Sequence, residues 1–159
     1  MQKRTAFISA ILSLLPLGQP LFIKSGIVLS TTGFLLSFSE KVSARNFDYY
    51  FDRAYEKAEN GDYYGAISDY TKAIEINPNY ADAYYNRGNR KADLKDYYGA
   101  ISDYTKAIDI DPNQSDVFKN RSIVKETIGD IDGACLDAKK SVSLGDAASD
   151  NQTWIKKNC

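Results

Sequence analysis

The sequence predicts an all-α fold: a right-handed superhelical array of about three antiparallel helix hairpins, closed by a C-terminal capping helix. Three observations carry this reading. The chain repeats itself at an offset of 34 residues, the scale of a small stacking unit and not of a whole domain. Inside each unit the apolar and aromatic positions recur at helical spacing. A proline then closes each of the first two units, where it cannot continue an α-helix and turns the preceding residue away from helical geometry.

The repeat is exact over its central part. The thirteen residues 62–74, Asp-Tyr-Tyr-Gly-Ala-Ile-Ser-Asp-Tyr-Thr-Lys-Ala-Ile, recur unchanged at 96–108, and Pro78-Asn79 recurs as Pro112-Asn113. A third, weaker copy aligns residues 130–135 with the same block. Each unit reads as a first helix (46–60, 81–95), a short turn at Gly61 or Lys95-Asp96, and a second helix (63–76) stopped by Asn77-Pro78-Asn79. The units fall at about 47–80, 81–114 and 115–148. The third has Asp146 where the others have proline, as expected of the closing end of an array, and residues 149–159 form its cap, with Trp154 and Ile155 turned inward.

This pattern resembles the tetratricopeptide repeat family over about two thirds of the chain. The resemblance rests on Tyr50, Ala54, Ala66, Tyr70, Ala73 and Pro78 in the first unit and on Tyr84, Gly88, Ala100, Tyr104, Ala107 and Pro112 in the second. In the third it rests on Phe118, Ser122, Ala134 and Ala138. Small residues at 54, 88 and 122 would let each first helix approach the second closely at 66, 100 and 134. Lys57, Lys91 and Lys125 depart from the pattern, standing where the family usually has an aromatic.

Residues 1–44 differ in kind from the rest. They hold only Lys3, Arg4, Lys24 and Lys41 of the 20 basic side chains and Glu40 of the 21 acidic ones, so the remainder is acidic, 16 against 20. Two apolar stretches, 5–23 and 26–39, precede the small residues Val42-Ser43-Ala44. This is the form of an export signal cut near Ala44. The competing reading is a membrane anchor retained through residues 5–39. Either places the repeats outside the cytoplasm (periplasmic, lumenal or secreted) or at a membrane.

The chain has no histidine, which removes the usual base of Ser-His-Asp and Cys-His catalysis and the common zinc ligand. No constellation of the remaining acids, lysines and tyrosines stands apart from the repeat, and neither a cofactor nor a metal is expected. The acidic body argues against nucleic acid. The two cysteines cannot build a zinc cage. Packing the last helix antiparallel to the helix beginning near Asp132 brings Cys135 beside Cys159, and an export signal favours a disulfide between them.

The resemblance implies a concave face lined by the first helix of each unit, able to hold an extended peptide. Its candidate residues are Phe51, Tyr55, Asp82, Tyr85, Asn86, Asn89, Lys119 and Asn120. The acidic lining suits a basic or polar segment. In family members that grip chaperone tails, lysines and asparagines form a carboxylate clamp. Asn86 matches it, while Phe51, Tyr55, Asp116 and Asn120 do not, so an acidic tail is not the expected ligand. Tyr63, Tyr64, Tyr97 and Tyr98 read as packing between hairpins, and Asp69, Asp103 and Asp137 as solvated. The function expected is a non-catalytic binding scaffold or assembly factor. The alternatives are a chaperone-like or enzyme accessory protein and a self-associating structural protein.

Overall fold

The computed structural model describes residues 21, 22, 28, 29, 31–146 and 149–159. The expected signal or anchor therefore lies largely outside the described residues. The chain divides into two compact units, Met1–Val42 and Ser43–Cys159. In the first, β1 (Leu21–Phe22) and β2 (Val28–Leu29) pair antiparallel, Leu21 opposite Leu29 and Phe22 opposite Val28. No helix among the described residues is long and apolar enough to cross a membrane.

Seven helices follow among the described residues: α1 (Thr31–Glu59), α2 (Tyr63–Ile76), α3 (Ala81–Asp93), α4 (Tyr97–Ile110), α5 (Ser115–Thr127), α6 (Ile131–Ser143) and α7 (Ser149–Asn158). From α2 onward each packs on the next in sequence, and α3 also touches α5. These are consecutive hairpins, α1/α2, α3/α4 and α5/α6, with α7 laid against α6. The second helices start at a repeated device. Asp62, Asp96 and Asp130 accept a hydrogen bond from the backbone N–H of Gly65, Gly99 and Gly133, three residues on, which satisfies a donor the helix leaves open. Glycine suits that position because a Cβ there would collide with the capping carboxylate. At the other end, Asn77 and Asp111 accept from the N–H of Asn79 and Asn113 across the proline, closing an Asx turn.

The core is a row of alanines and aromatics. Ala54, Ala66, Ala73, Ala83, Ala100, Ala107, Ala134 and Ala138 are buried, as are Tyr70, Tyr84, Tyr104 and Phe118. Close approach is tightest at Gly88, where a Cβ would lie 2.8 Å from Tyr104 Cε1. Cys135 and Cys159 form a disulfide with Cα atoms 5.8 Å apart, tying the end of α7 to the start of α6. Trp154 and Ile155 are half-buried, and Trp154 Nε1 donates to Glu126 Oε1 at 2.7 Å.

Two expectations are corrected. Tyr64 and Tyr98 do not pack between hairpins: they are 77% and 75% exposed, because the second position of a second helix points away from its partner. Tyr63 and Tyr97 are half-buried. Asp69, Asp103 and Asp137 are not solvated but buried. Ala66, Asp69, Tyr70 and Ala73 sit at i, i+3, i+4 and i+7, one helical stripe, so the aspartate is carried into the hairpin with its neighbours.

Candidate functional site

Each buried aspartate meets two cations from the preceding helix. Asp69 accepts from Arg53 Nε and Nη2, both at 2.6 Å, and from Lys57 Nζ at 2.8 Å. Asp103 accepts from Arg87 at 2.8 and 2.7 Å and from Lys91 at 2.9 Å. Asp137 accepts from Arg121 at 2.8 and 2.7 Å and from Lys125 at 2.7 Å. The lysines that depart from the family's aromatic are thus partners of these acids. Arginine engages the carboxylate in a two-pronged fork, which holds the helix pair in one register. The bidentate Arg53 holds the Asp69 carboxyl down at about 2 against the opposing effect of burial. Arg87 Nη1 also reaches Thr71 Oγ1 of the previous hairpin at 3.0 Å, and Arg121 Nη1 reaches Thr105 Oγ1 at 3.0 Å. The triads therefore clamp hairpins internally and to each other. They set the spacing of α1, α3 and α5.

That spacing brings part of the expected face together. Asn120 Nδ2 on α5 donates to Tyr85 OH at 3.1 Å and to Asn89 Oδ1 at 3.0 Å, both on α3. Asn89 Oδ1 also accepts from Tyr104 OH at 2.7 Å, whose ionisation burial pushes up, so this hydroxyl remains a donor. Tyr85 leans on Tyr104, ring centroids 6.1 Å apart. Asp82 Oδ1 accepts from Gln114 Nε2 at 2.9 Å across the same two hairpins.

The remaining candidates are placed differently. Tyr55 is 54% exposed and free for contact. Phe51 is half-buried among Phe47, Tyr70 and Tyr80, with centroids 5.7, 5.6 and 5.4 Å away, so its ring serves packing. Asn86 turns its amide back to the carbonyl of Asp82 at 2.9 Å. Lys119 lies 3.6 Å from Asp146. Sequence reasoning missed Gln114 altogether, because a glutamine between two helices carries no motif.

A depression of about 280 Å³ opens where α3 meets the start of α5, lined by Asp82, Tyr85, Asn113, Gln114 and Asp116 among others. Among the described residues no group of acids, cysteines or histidines is gathered closely enough to hold a metal ion.

Comparison with known proteins agrees with this geometry. A family model described as TPR repeat matches residues 54–92, and one described as tetratricopeptide repeat matches residues 81–114. No curated protein matches the chain. Among solved structures it is similar to the Arabidopsis OM64 TPR domain, with a TM-score of 0.68 at 21% identity, covering 72% of this chain and 95% of that one. It is also similar to the second TPR domain of human RPAP3 in complex with the HSP70 peptide SGPTIEEVD, with a TM-score of 0.67 at 24% identity, covering 72% and 96%. The first TPR of Spaghetti (RPAP3), bound to the HSP90 peptide SRMEEVD, gives a TM-score of 0.67 at 18% identity, covering 71% and 90%. At such identities the likeness is one of fold.

Proposed function

The chain carries tetratricopeptide repeats over residues 54–114, and from that premise we propose that it is a non-catalytic scaffold or assembly factor that holds an extended peptide along α1, α3 and α5. The observation that carries this is the bonding of Asn120 to Tyr85 and Asn89. It joins side chains of two successive first helices into one polar, aromatic surface, with Tyr55 exposed further along the series. Tyrosine and asparagine offer contact area and backbone hydrogen bonding at small cost in side-chain freedom.

The charge of the face supports a basic or polar ligand. Two of the structural neighbours hold peptides ending in Glu-Glu-Val-Asp. Such a tail would here meet Asp82 and Asp116, and like charges brought together at an interface suppress binding. Export or membrane attachment through residues 1–44 is part of the same proposal, supported by the apolar stretches and by Val42-Ser43-Ala44. Sequencing the N-terminus of the protein isolated from its source tests it: processing predicts a chain beginning at Arg45, an anchor predicts residues 5–39 retained in the membrane fraction, and a full-length chain in the cytoplasm contradicts both.

The binding reading is tested by affinity purification with crosslinking, comparing the wild type with Tyr85→Ala/Asn120→Ala. Loss of the captured partners from a variant that keeps its helical signal is the expected result. An unchanged partner set contradicts the assignment of the face.

A further inference from the structure

The two junctions between successive hairpins are built from the same repeat, yet one is filled and the other is open. At the first, Phe47, Phe51 and Tyr80 pack ring on ring, Phe47 and Tyr80 with centroids 4.8 Å apart and Phe51 and Tyr80 5.4 Å apart. One repeat later, 34 residues on, the same three positions hold Ala81, Tyr85 and Gln114. A phenylalanine has become alanine and a tyrosine has become glutamine, and two of the three, Tyr85 and Gln114, line the depression of about 280 Å³. The second junction has thus exchanged an aromatic plug for a polar pocket.

Two carboxylates stand among the groups that line that pocket. Asp82 and Asp116 are both on its wall, and neither forms an ion pair among the described residues. Asp82 spends one oxygen on the amide of Gln114. The other half of that amide, Gln114 Oε1, is buried with no hydrogen-bond partner among the described residues, which is unfavourable for a polar group. The residue that replaces the tyrosine plug is thereby left wanting a donor. In volume the pocket falls just below the roughly 300–1,000 Å³ of small-molecule sites, which fits one long side chain better than a cofactor.

We propose that this pocket is the specificity subsite of the groove and takes an arginine side chain of the bound segment. A guanidinium offers five donors in a fixed plane, enough to serve both carboxylates at once. A lysine ammonium, a compact and strongly hydrated charge, satisfies fewer of these acceptors at once. The inference rests on the peptide-binding reading and adds to it the identity of one residue in the ligand.

The test uses the full chain and a set of synthetic peptides of one polar, tyrosine-containing sequence. They carry arginine, lysine, citrulline or alanine at a single site scanned along the peptide. Binding is measured to the wild type, to Asp82→Asn/Asp116→Asn, and to Ala81→Phe/Gln114→Tyr, which rebuilds the plug of the first junction. At one register the arginine peptide is expected to bind about tenfold more tightly than its citrulline counterpart, the difference vanishing in both variants. Citrulline keeps the shape and loses the charge, so equal binding of the two at every register overturns the inference while leaving the groove reading intact. Retention of the arginine preference in the plugged variant overturns it as well. If no peptide binds the wild type, both readings fall together.

Discussion

Replacing Asp103 by asparagine keeps the size of the side chain and removes its charge, leaving Arg87 and Lys91 facing a neutral group inside the middle hairpin. The side chain of Asp103 is 5% exposed, that of Arg87 16% and that of Lys91 21%. Removing one member of a buried pair costs about 3–5 kcal/mol, because the remaining charge is stranded out of water, whereas an exposed pair is worth about 0–1 kcal/mol. The two cations keep some access to solvent, so the expected loss is about 2–4 kcal/mol. Equilibrium unfolding in guanidinium chloride reads it as a lower midpoint at unchanged slope. A second variant isolates the cause. Replacing the whole triad, Arg87→Met/Lys91→Met/Asp103→Leu, removes the stranded charges and is expected to recover much of the loss. A loss below about 1 kcal/mol in Asp103→Asn, or a triple variant less stable than the single one, refutes the view that these aspartates are buried partners.

Three further outcomes follow from the same geometry. Gly88→Ala, which helix propensity alone would favour by about 1 kcal/mol, is expected to destabilise by about 1–3 kcal/mol in the same unfolding assay, since its Cβ would press on Tyr104; a gain in stability contradicts the close approach. The Asp69 carboxyl, held at about 2 in the folded chain against about 3.9 when unfolded, would contribute about 2.6 kcal/mol in full, reduced to about 1–2 kcal/mol because Arg53 and Lys57 are one-third exposed, and this is fully present above about pH 5. The unfolded chain takes up the proton first, so this contribution is lost as pH falls from about 5 through 2, and Asp69→Asn is expected to flatten that part of the acid-unfolding curve. Cys135→Ser/Cys159→Ser opens a link of sequence separation 24 and is expected to cost about 3 kcal/mol, measured by denaturant unfolding of the oxidised wild type against the variant; equal stability contradicts a structural role.

The helices were legible because two physical signals coincided. A 34-residue identity set the unit, and Asn77-Pro78-Asn79 with Asp62 and Asp96 marked where helices stop and start, so that the expected 63–76 is α2 as found. The triads are hidden from a reading by residue type, as the stripe at 66, 69, 70 and 73 makes plain: an aspartate among three buried neighbours is carried inward with them. Lys57 and Arg53, at i and i−4 on α1, were the visible half of the same arrangement. Tyr64 and Tyr98 erred in the opposite direction, aromatic residues assigned to packing although the helix start turns them to solvent. Of the expected face, Tyr85, Asn89 and Asn120 converge through bonds between α3 and α5, while Phe51 is drawn into the aromatic plug. The pocket beside them is lined by Gln114 where the first junction has Tyr80, and an absence of aromatic volume leaves no motif.

Ligand is expected along the first helices and not on the opposite surface. Both surfaces expose a tyrosine, Tyr55 on α1 and Tyr64 on α2, so each can be replaced by a photo-crosslinking benzoylphenylalanine without disturbing the core. Irradiation in the presence of the arginine peptide or the captured partner is expected to give a crosslinked product from position 55 and none from position 64. Crosslinking from position 64 alone would contradict the account.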